Sequence, residues 1–331
     1  PGTRVLFMRA SYPQLIKASL PTLWKIFQHF GWKEDKHYIH HISDKVIKFY
    51  SDYDSVLNKN GFLSRGQVSG APCDLISGYA KLDIPEGESM LFEPEFCAIP
   101  ASAALLSKAK YVSSETFTCL YGWPRDYIRE EQTADLKLVA DALFANGINN
   151  IIWHGKAHNT EDSDSVNFYA TTHIGKNGNL YPELSDFNKY LEKVSSFMKK
   201  GNTYSDVAVY LPTEDAWIKG VMPKNQQFKW AWGFYEMRYV YFPDEFKAYN
   251  PTWINGEFLN KAKVSNGRLL VGNANYSMLY IDVEYLAFDV LKRLNELAND
   301  GLKIVLKQNP KNPSAVVQKD FQKLLNNLKS N

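Results

Sequence analysis

Three cysteines in 331 residues, Cys73, Cys97 and Cys119, are too few for a disulfide framework and fall into no metal-binding spacing. Charge of one sign is also missing. The 38 Lys and Arg against 36 Asp and Glu leave a formal net charge of +2, so no strong field draws in nucleic acid or an anionic membrane. No apolar run reaches the ~18–20 residues of a spanning helix. No Gly-x-Gly-x-x-Gly follows a strand-like run and no P-loop is present, which argues against a phosphate-cradling nucleotide site. A serine triad lacks its Gly-x-Ser-x-Gly elbow, and thiolate catalysis at Cys119 lacks a partner histidine in the pattern. There is no repeat and no low-complexity tract. The first residue is Pro1, no charged-then-apolar leader is visible and the chain stops at Asn331 without a clear end signal, so it reads as a fragment.

What is present is a globular composition, 45% hydrophobic and 14% aromatic. Most of the 20 Tyr, 19 Phe and 8 Trp are expected in a large core, with a minority free to stack on sugar rings. Strand-like and helix-like runs alternate. Thr133 stands where a helix cap belongs, Leu136, Val139, Ala140, Leu143 and Phe144 follow at helical spacing, and Gly147 closes the run. A short apolar strand, residues 148–155, comes next. Ser185 opens a second helix closed by Gly201, followed by a strand over 206–212; a third helix over 286–298 precedes a strand over 302–306. Residues 4–8, 63–68 and 110–113 are further strand candidates.

Such alternation predicts an α/β fold with a parallel sheet. Polar residues cluster after the strand ends, as at the mouth of a (β/α)8 barrel. Only four or five barrel-type strands precede residue 200, so the expected architecture is the C-terminal part of a (β/α)8 TIM-type barrel over residues 1–202. A smaller, truncated α/β domain is expected over 203–331, where prolines and an aromatic stretch change the character of the sequence.

Glu115, at the end of the third strand candidate, is the best candidate for the acid, base or nucleophile of a glycosidase, which needs a carboxylate aimed into a pocket. Arg65, Gln67, Trp153 and His154 are expected around it as substrate-binding residues, with His154 donating to a sugar hydroxyl. His158 and His173 are weaker candidates on loops. Glu86 and Glu88 lie in an acid-rich run, expected to be a loop, where hard oxygen ligands suit Ca²⁺.

Taken together, these motifs resemble glycoside hydrolase family 106, the α-L-rhamnosidases. The runs over 64–75 and 83–86, Val112-Ser113-Ser114-Glu115-Thr116-Phe117-Thr118, Trp153-His154-Gly155, 168–170, 173–175 and 206–212 follow the family's motifs in order. The resemblance implies an inverting, calcium-dependent enzyme, periplasmic or secreted, that removes terminal α-L-rhamnose from polysaccharides or glycosides. Glu115 matches the carboxylate that activates water. The family's acid lies in a motif like Asp-Ser-Tyr-Glu; here Ala10-Ser11-Tyr12-Pro13 stands in that place, or Gln14 with a one-residue shift, and no acid is visible. Family members tend to carry His where Ser69 stands. Two alternatives remain: an inactive sugar-binding barrel or relic, and a β-galactosidase-like hydrolase. In an active enzyme, Glu86, Glu88 or a segment not present would supply the acid.

Overall fold

The computed structural model describes residues 38–69, 71, 73–89, 93–118, 120, 131–155, 172, 174–176, 178–219, 240–313 and 318–330. Within them the chain is α/β with two parallel sheets. The candidate strand over 4–8, the stretch 10–14, Cys119, His158, His173 and the motif over 168–170 lie outside the described residues.

The first sheet contains β1 (Arg65–Gln67), β2 (Ile84–Ser89), β3 (Ser113–Thr116) and β4 (Asn150–Trp153), side by side in chain order. All three pairings are parallel. Helices α1 (Tyr38–Lys59), α2 (Leu75–Tyr79), α3 (Ala98–Ser107), α4 (Thr133–Ala145) and α5 (Leu184–Met198) lead into, connect and follow these strands. Among the described residues the four strands do not close into a barrel.

Strand β2 corrects an expectation, because its sequence, with Pro85, Gly87 and two acids, reads as a loop. It pairs on both edges for physical reasons. Glu86 faces Ser113, the first residue of β3, so the N–H that Pro85 lacks falls before that ladder begins. Gly87 lies under α3: a Cβ there would sit 2.6 Å from Cys97 Sγ and 3.3 Å from Pro100. Strand β3 starts three residues later than the pattern suggested. Asn149 sets that start, accepting from Val112 N at 2.9 Å and donating to the Lys110 carbonyl at 3.0 Å. Thr133 is the first residue of α4 with Gln132 as its cap, and Glu183, not Ser185, precedes α5.

The second sheet contains β5 (Val207–Tyr210), β6 (Thr252–Ile254), β10 (Met278–Ile281) and β11 (Lys303–Leu306), in the order β11-β10-β5-β6. Helices α6 (Thr213–Lys219), α7 (Gly256–Lys261), α8 (Phe288–Asn299) and α9 (Gln318–Ser330) accompany it. An antiparallel meander, β7 (Lys263–Ser265), β8 (Arg268–Val271) and β9 (Ala274–Tyr276), stands beside it. The apolar core continues from α2 and α3 into this sheet and on to Leu325 and Leu328 of α9. Polar contacts fix the junction. The Asn255 amide donates to Asp74 Oδ1 at 2.6 Å, and Trp253 N donates to Ser102 Oγ at 2.9 Å. Gly272, at φ +60°, lies so close to α3 that a Cβ would fall 2.1 Å from the Leu106 carbonyl oxygen. A second cluster, including Phe117, Leu136, Leu143, Ile148 and Phe187, packs α4 and α5 on the first sheet.

Candidate active site

Alternation along the strands divides the first sheet into two faces. Gly66, Gly87 and Thr116 belong to the face that meets the helices. Arg65 and Gln67, Glu86 and Glu88, Ser113 and Glu115 belong to the other. Register aligns this second set: Gln67 is opposite Glu86, Glu86 opposite Ser113, and Glu88 opposite Glu115. The sequence therefore delivers the polar residues of β1, β2 and β3 to one side because every second residue of each is polar, while β4 adds Asn150 and Ile152 to that face.

Glu115 is the centre of this face. Its Oε2 accepts from Gln67 Nε2 at 2.7 Å. Its Oε1 contacts His154 Nδ1 at 2.5 Å and accepts from the Thr118 hydroxyl at 3.3 Å. Thr118 is brought back towards it because Phe117 takes φ +71°, a left-handed conformation that bulky residues rarely adopt and that is often found where a site needs it. Phe117 is held there by burial against Trp153 and Phe187, with centroids 4.7 and 6.2 Å away. Glu115 and His154 keep partial access to solvent, with side chains 19% and 25% exposed.

One step towards the strand starts lies a second polar layer. Glu86 Oε2 accepts from Ser113 Oγ at 2.7 Å and lies 3.2 Å from Arg65 Nε. Gln67 Nε2 also reaches Glu86 Oε1 at 3.5 Å. Glu86 and Glu88 are both buried, and burying a carboxylate is costly unless it is paired. For Glu86 the Arg65 guanidinium meets that need.

The structure thus brings Arg65, Gln67, Glu86, Glu88, Glu115 and His154 together on one face. Trp153 is the exception and corrects the expectation of a sugar-facing ring. Being one residue before His154, it points to the helix side, where its ring lies 6.0 Å from Phe187 and its N–H donates to Asn188 Oδ1 at 3.2 Å. Calcium does not fit Glu86 and Glu88 as they stand. They lie on a strand rather than a liganding loop, a guanidinium already neutralises Glu86, and among the described residues no group of three or more His, Cys, Asp or Glu could hold a metal ion. Ser113 and Thr118 also touch these carboxylates, and the sequence singles out neither. Ser113 was legible from its spacing, two residues before Glu115 and so on the same face.

The profile of the family Glyco_hydro_106, described as alpha-L-rhamnosidase, matches residues 95–331. Over 284 residues the chain is 22% identical to a Formosa agariphila protein named "Putative beta-glucuronidase", an alignment that takes in 82% of this chain and 22% of that protein. The structure of a rhamnosidase from Novosphingobium sp. PP1Y superposes with a TM-score of 0.66 at 16% identity, covering 85% of this chain and 27% of that one. A β-galactosidase from Rahnella sp. R3 superposes with a TM-score of 0.51 at 12% identity, covering 84% of this chain and 42% of that one. Both structural likenesses are likenesses of fold. The chain spans about a fifth of the length of the curated relative it matches.

Proposed function

Since the chain belongs to glycoside hydrolase family 106, the alpha-L-rhamnosidases, we propose that its polar sheet face is part of a rhamnoside-hydrolysing site, with Glu115 as the carboxylate of the water-activating centre. The observation that carries this reading is the convergence of Gln67, Thr118 and His154, from three different segments, on the two oxygens of Glu115. These contacts hold both oxygens of the carboxylate in one orientation, as a water-activating centre requires.

An inverting hydrolysis also needs an acid across the scissile bond to protonate the leaving oxygen. Glu88 lies beside Glu115 in register on the neighbouring strand and Glu86 is engaged by Arg65 and Ser113; two carboxylates side by side on one sheet face do not flank a scissile bond, so the acid is assigned to neither. Arg65 and Gln67 then have binding and orienting roles. Calcium is given no step. The order of β1 to β4, each beside the next in the chain, supports a segment of a (β/α)8 barrel. The reversal of order between β5 and β10 supports a separate, smaller α/β unit after residue 202.

The test is turnover of an aryl α-L-rhamnoside by the protein and by Glu115→Gln. The amide keeps the shape but is a far weaker base. A loss of about 10²–10⁴ in kcat is expected, and an undiminished rate in the variant removes Glu115 from the chemistry.

A further inference from the structure

A cavity of about 390 Å³ lies at the strand starts of the first sheet and shares no residue with the Glu115 centre. It is bounded by Asp54 of α1, by Leu63 before β1, by residues 80–83 between α2 and β2, and by residues 107–111 between α3 and β3. Two of its carboxylates are each tied through one oxygen. Asp54 Oδ1 accepts from Ser64 Oγ at 2.5 Å and from Asn58 Nδ2 at 2.8 Å, and Asp83 Oδ2 accepts from Ser64 N at 2.9 Å. Among the described residues, Asp54 Oδ2, Asp83 Oδ1, the Lys108 ammonium and the Tyr111 hydroxyl have no polar partner. Lys110 meets only the Tyr111 ring, 5.4 Å from its centroid. The Ser107 hydroxyl is buried and also unpaired, and such a group costs stability until something satisfies it. Lys108 takes φ +67° as the chain leaves α3. Glycine is the usual residue there, so a long cationic side chain is kept at the rim at a cost in backbone energy.

We propose that this cavity is a second carbohydrate-binding site, which holds one or two rings of a neutral saccharide away from the Glu115 face. The balance of groups selects the ligand. The ammonium groups of Lys108 and Lys110 oppose a metal cation, and the carboxylates of Asp54 and Asp83 oppose a phosphate or sulfate. Donors and acceptors side by side, none of them consumed by the protein, suit a group that is both at once, the hydroxyl. Lys108, Lys110 and Tyr111 donate to sugar oxygens, and Asp54 and Asp83 accept from sugar hydroxyls. Leu63, 57% exposed, offers apolar surface to the C–H face of a ring. The volume falls at the lower end of the ~300–1,000 Å³ of ligand pockets, which fits one or two rings and no more. Binding here makes and breaks no covalent bond. On a polymeric substrate it would tether the chain and raise its local concentration.

Hydrogen-exchange mass spectrometry of the full chain, titrated with the neutral disaccharide rutinose and separately with inorganic sulfate, tests the site without turnover. Rutinose is expected to slow exchange in peptides over 80–83 and 107–112, and sulfate is not. Lys108→Gly removes one donor and relieves the left-handed backbone. It should therefore unfold at a higher temperature yet need at least about tenfold more rutinose for the same protection, the usual loss for a hydrogen bond to a charged group. Tyr111→Phe should weaken protection in the same peptides. Several results would overturn the proposal: protection confined to peptides that carry Glu115 or His154, no protection at all, equal protection by sulfate, or undiminished binding in Lys108→Gly. The rhamnosidase reading fails separately. A chain that binds rutinose at the strand starts and hydrolyses no aryl α-L-rhamnoside would count against the function alone, and a hydrolysing chain without that protection would count against this site alone.

Discussion

The side-chain amide of Gln67 lies 2.7 Å from Oε2 of Glu115 and 3.5 Å from Oε1 of Glu86, so a single nitrogen on β1 spans carboxylates carried by β3 and β2. The contact works because the two strand registers bring Gln67, Glu86 and Ser113 into one row, with Glu115 two residues further on. The amide donates to both carboxylates, separates them and has no charge of its own.

Gln67→Ala should therefore lower kcat on an aryl α-L-rhamnoside by about 10–100-fold, the usual loss for a hydrogen bond to a charged group. Gln67→Glu should do more harm, since it adds a third carboxylate where two already need relief. Steady-state kinetics of the two variants checks this. Equal activity of Gln67→Glu and the unmodified protein would show that the amide is not needed as a donor.

Much of this site was legible in the sequence, and its failures have physical causes. Glu115, Gln67 and His154 were found because each ends a run with strand character. Trp153 was misplaced by neglecting the two-residue period: a residue adjacent to His154 must face the other way. Strand β2 was missed because Pro85 and Gly87 usually mark a break, and only the start of β3 and the contact with Cys97 show why they are tolerated here. Thr118 depends on the left-handed turn at Phe117, which no local pattern announces. The junction contacts of Asp74 with Asn255, and of Gly272 with Leu106, join residues well over a hundred positions apart and have no local signature.

Trp153→Phe should leave KM for an aryl rhamnoside unchanged, because the ring packs on Phe117 and Phe187 rather than on the polar face. It should cost about 1–3 kcal/mol of stability through lost contact and the lost bond to Asn188. Thermal unfolding and KM measured side by side check the pair. A large rise in KM at unchanged stability would put the indole back at the sugar.

Gly272→Ala should be strongly destabilising. The position needs φ +60°, and the added Cβ would meet backbone of α3, which cannot turn aside as a side chain could. Such combined strain and overlap falls in the class of losses above about 3 kcal/mol. Urea unfolding measures it, and a loss under about 1 kcal/mol would mean that the meander and α3 are not held together as described.

Burial raises the carboxyl of Glu214 from 4.5 to about 7, against the relief given by its bonds to the Tyr210 hydroxyl at 2.9 Å and to Ala287 N at 3.4 Å. The folded chain thus binds this proton more tightly than the unfolded chain. Its contribution to stability is complete below pH 4.5, declines as pH rises, and is lost above about pH 7. The total is about 3 kcal/mol at ~1.4 kcal/mol for each pH unit. In Glu214→Gln this decline should flatten. Unfolding free energies across that range check it, and a variant that retains the full slope would assign the titration to another group.

On the function proposed here, the Glu115 face of the first sheet hydrolyses a rhamnoside by direct attack of water. Following the anomeric ¹H signals of an aryl α-L-rhamnoside during turnover tests this most directly. β-L-rhamnose should appear first, before mutarotation, and Glu115→Gln should release rhamnose of either anomer at least about 10²-fold more slowly. Release of α-L-rhamnose as the first product would contradict single displacement, and equal release by the Glu115→Gln variant would contradict the site itself.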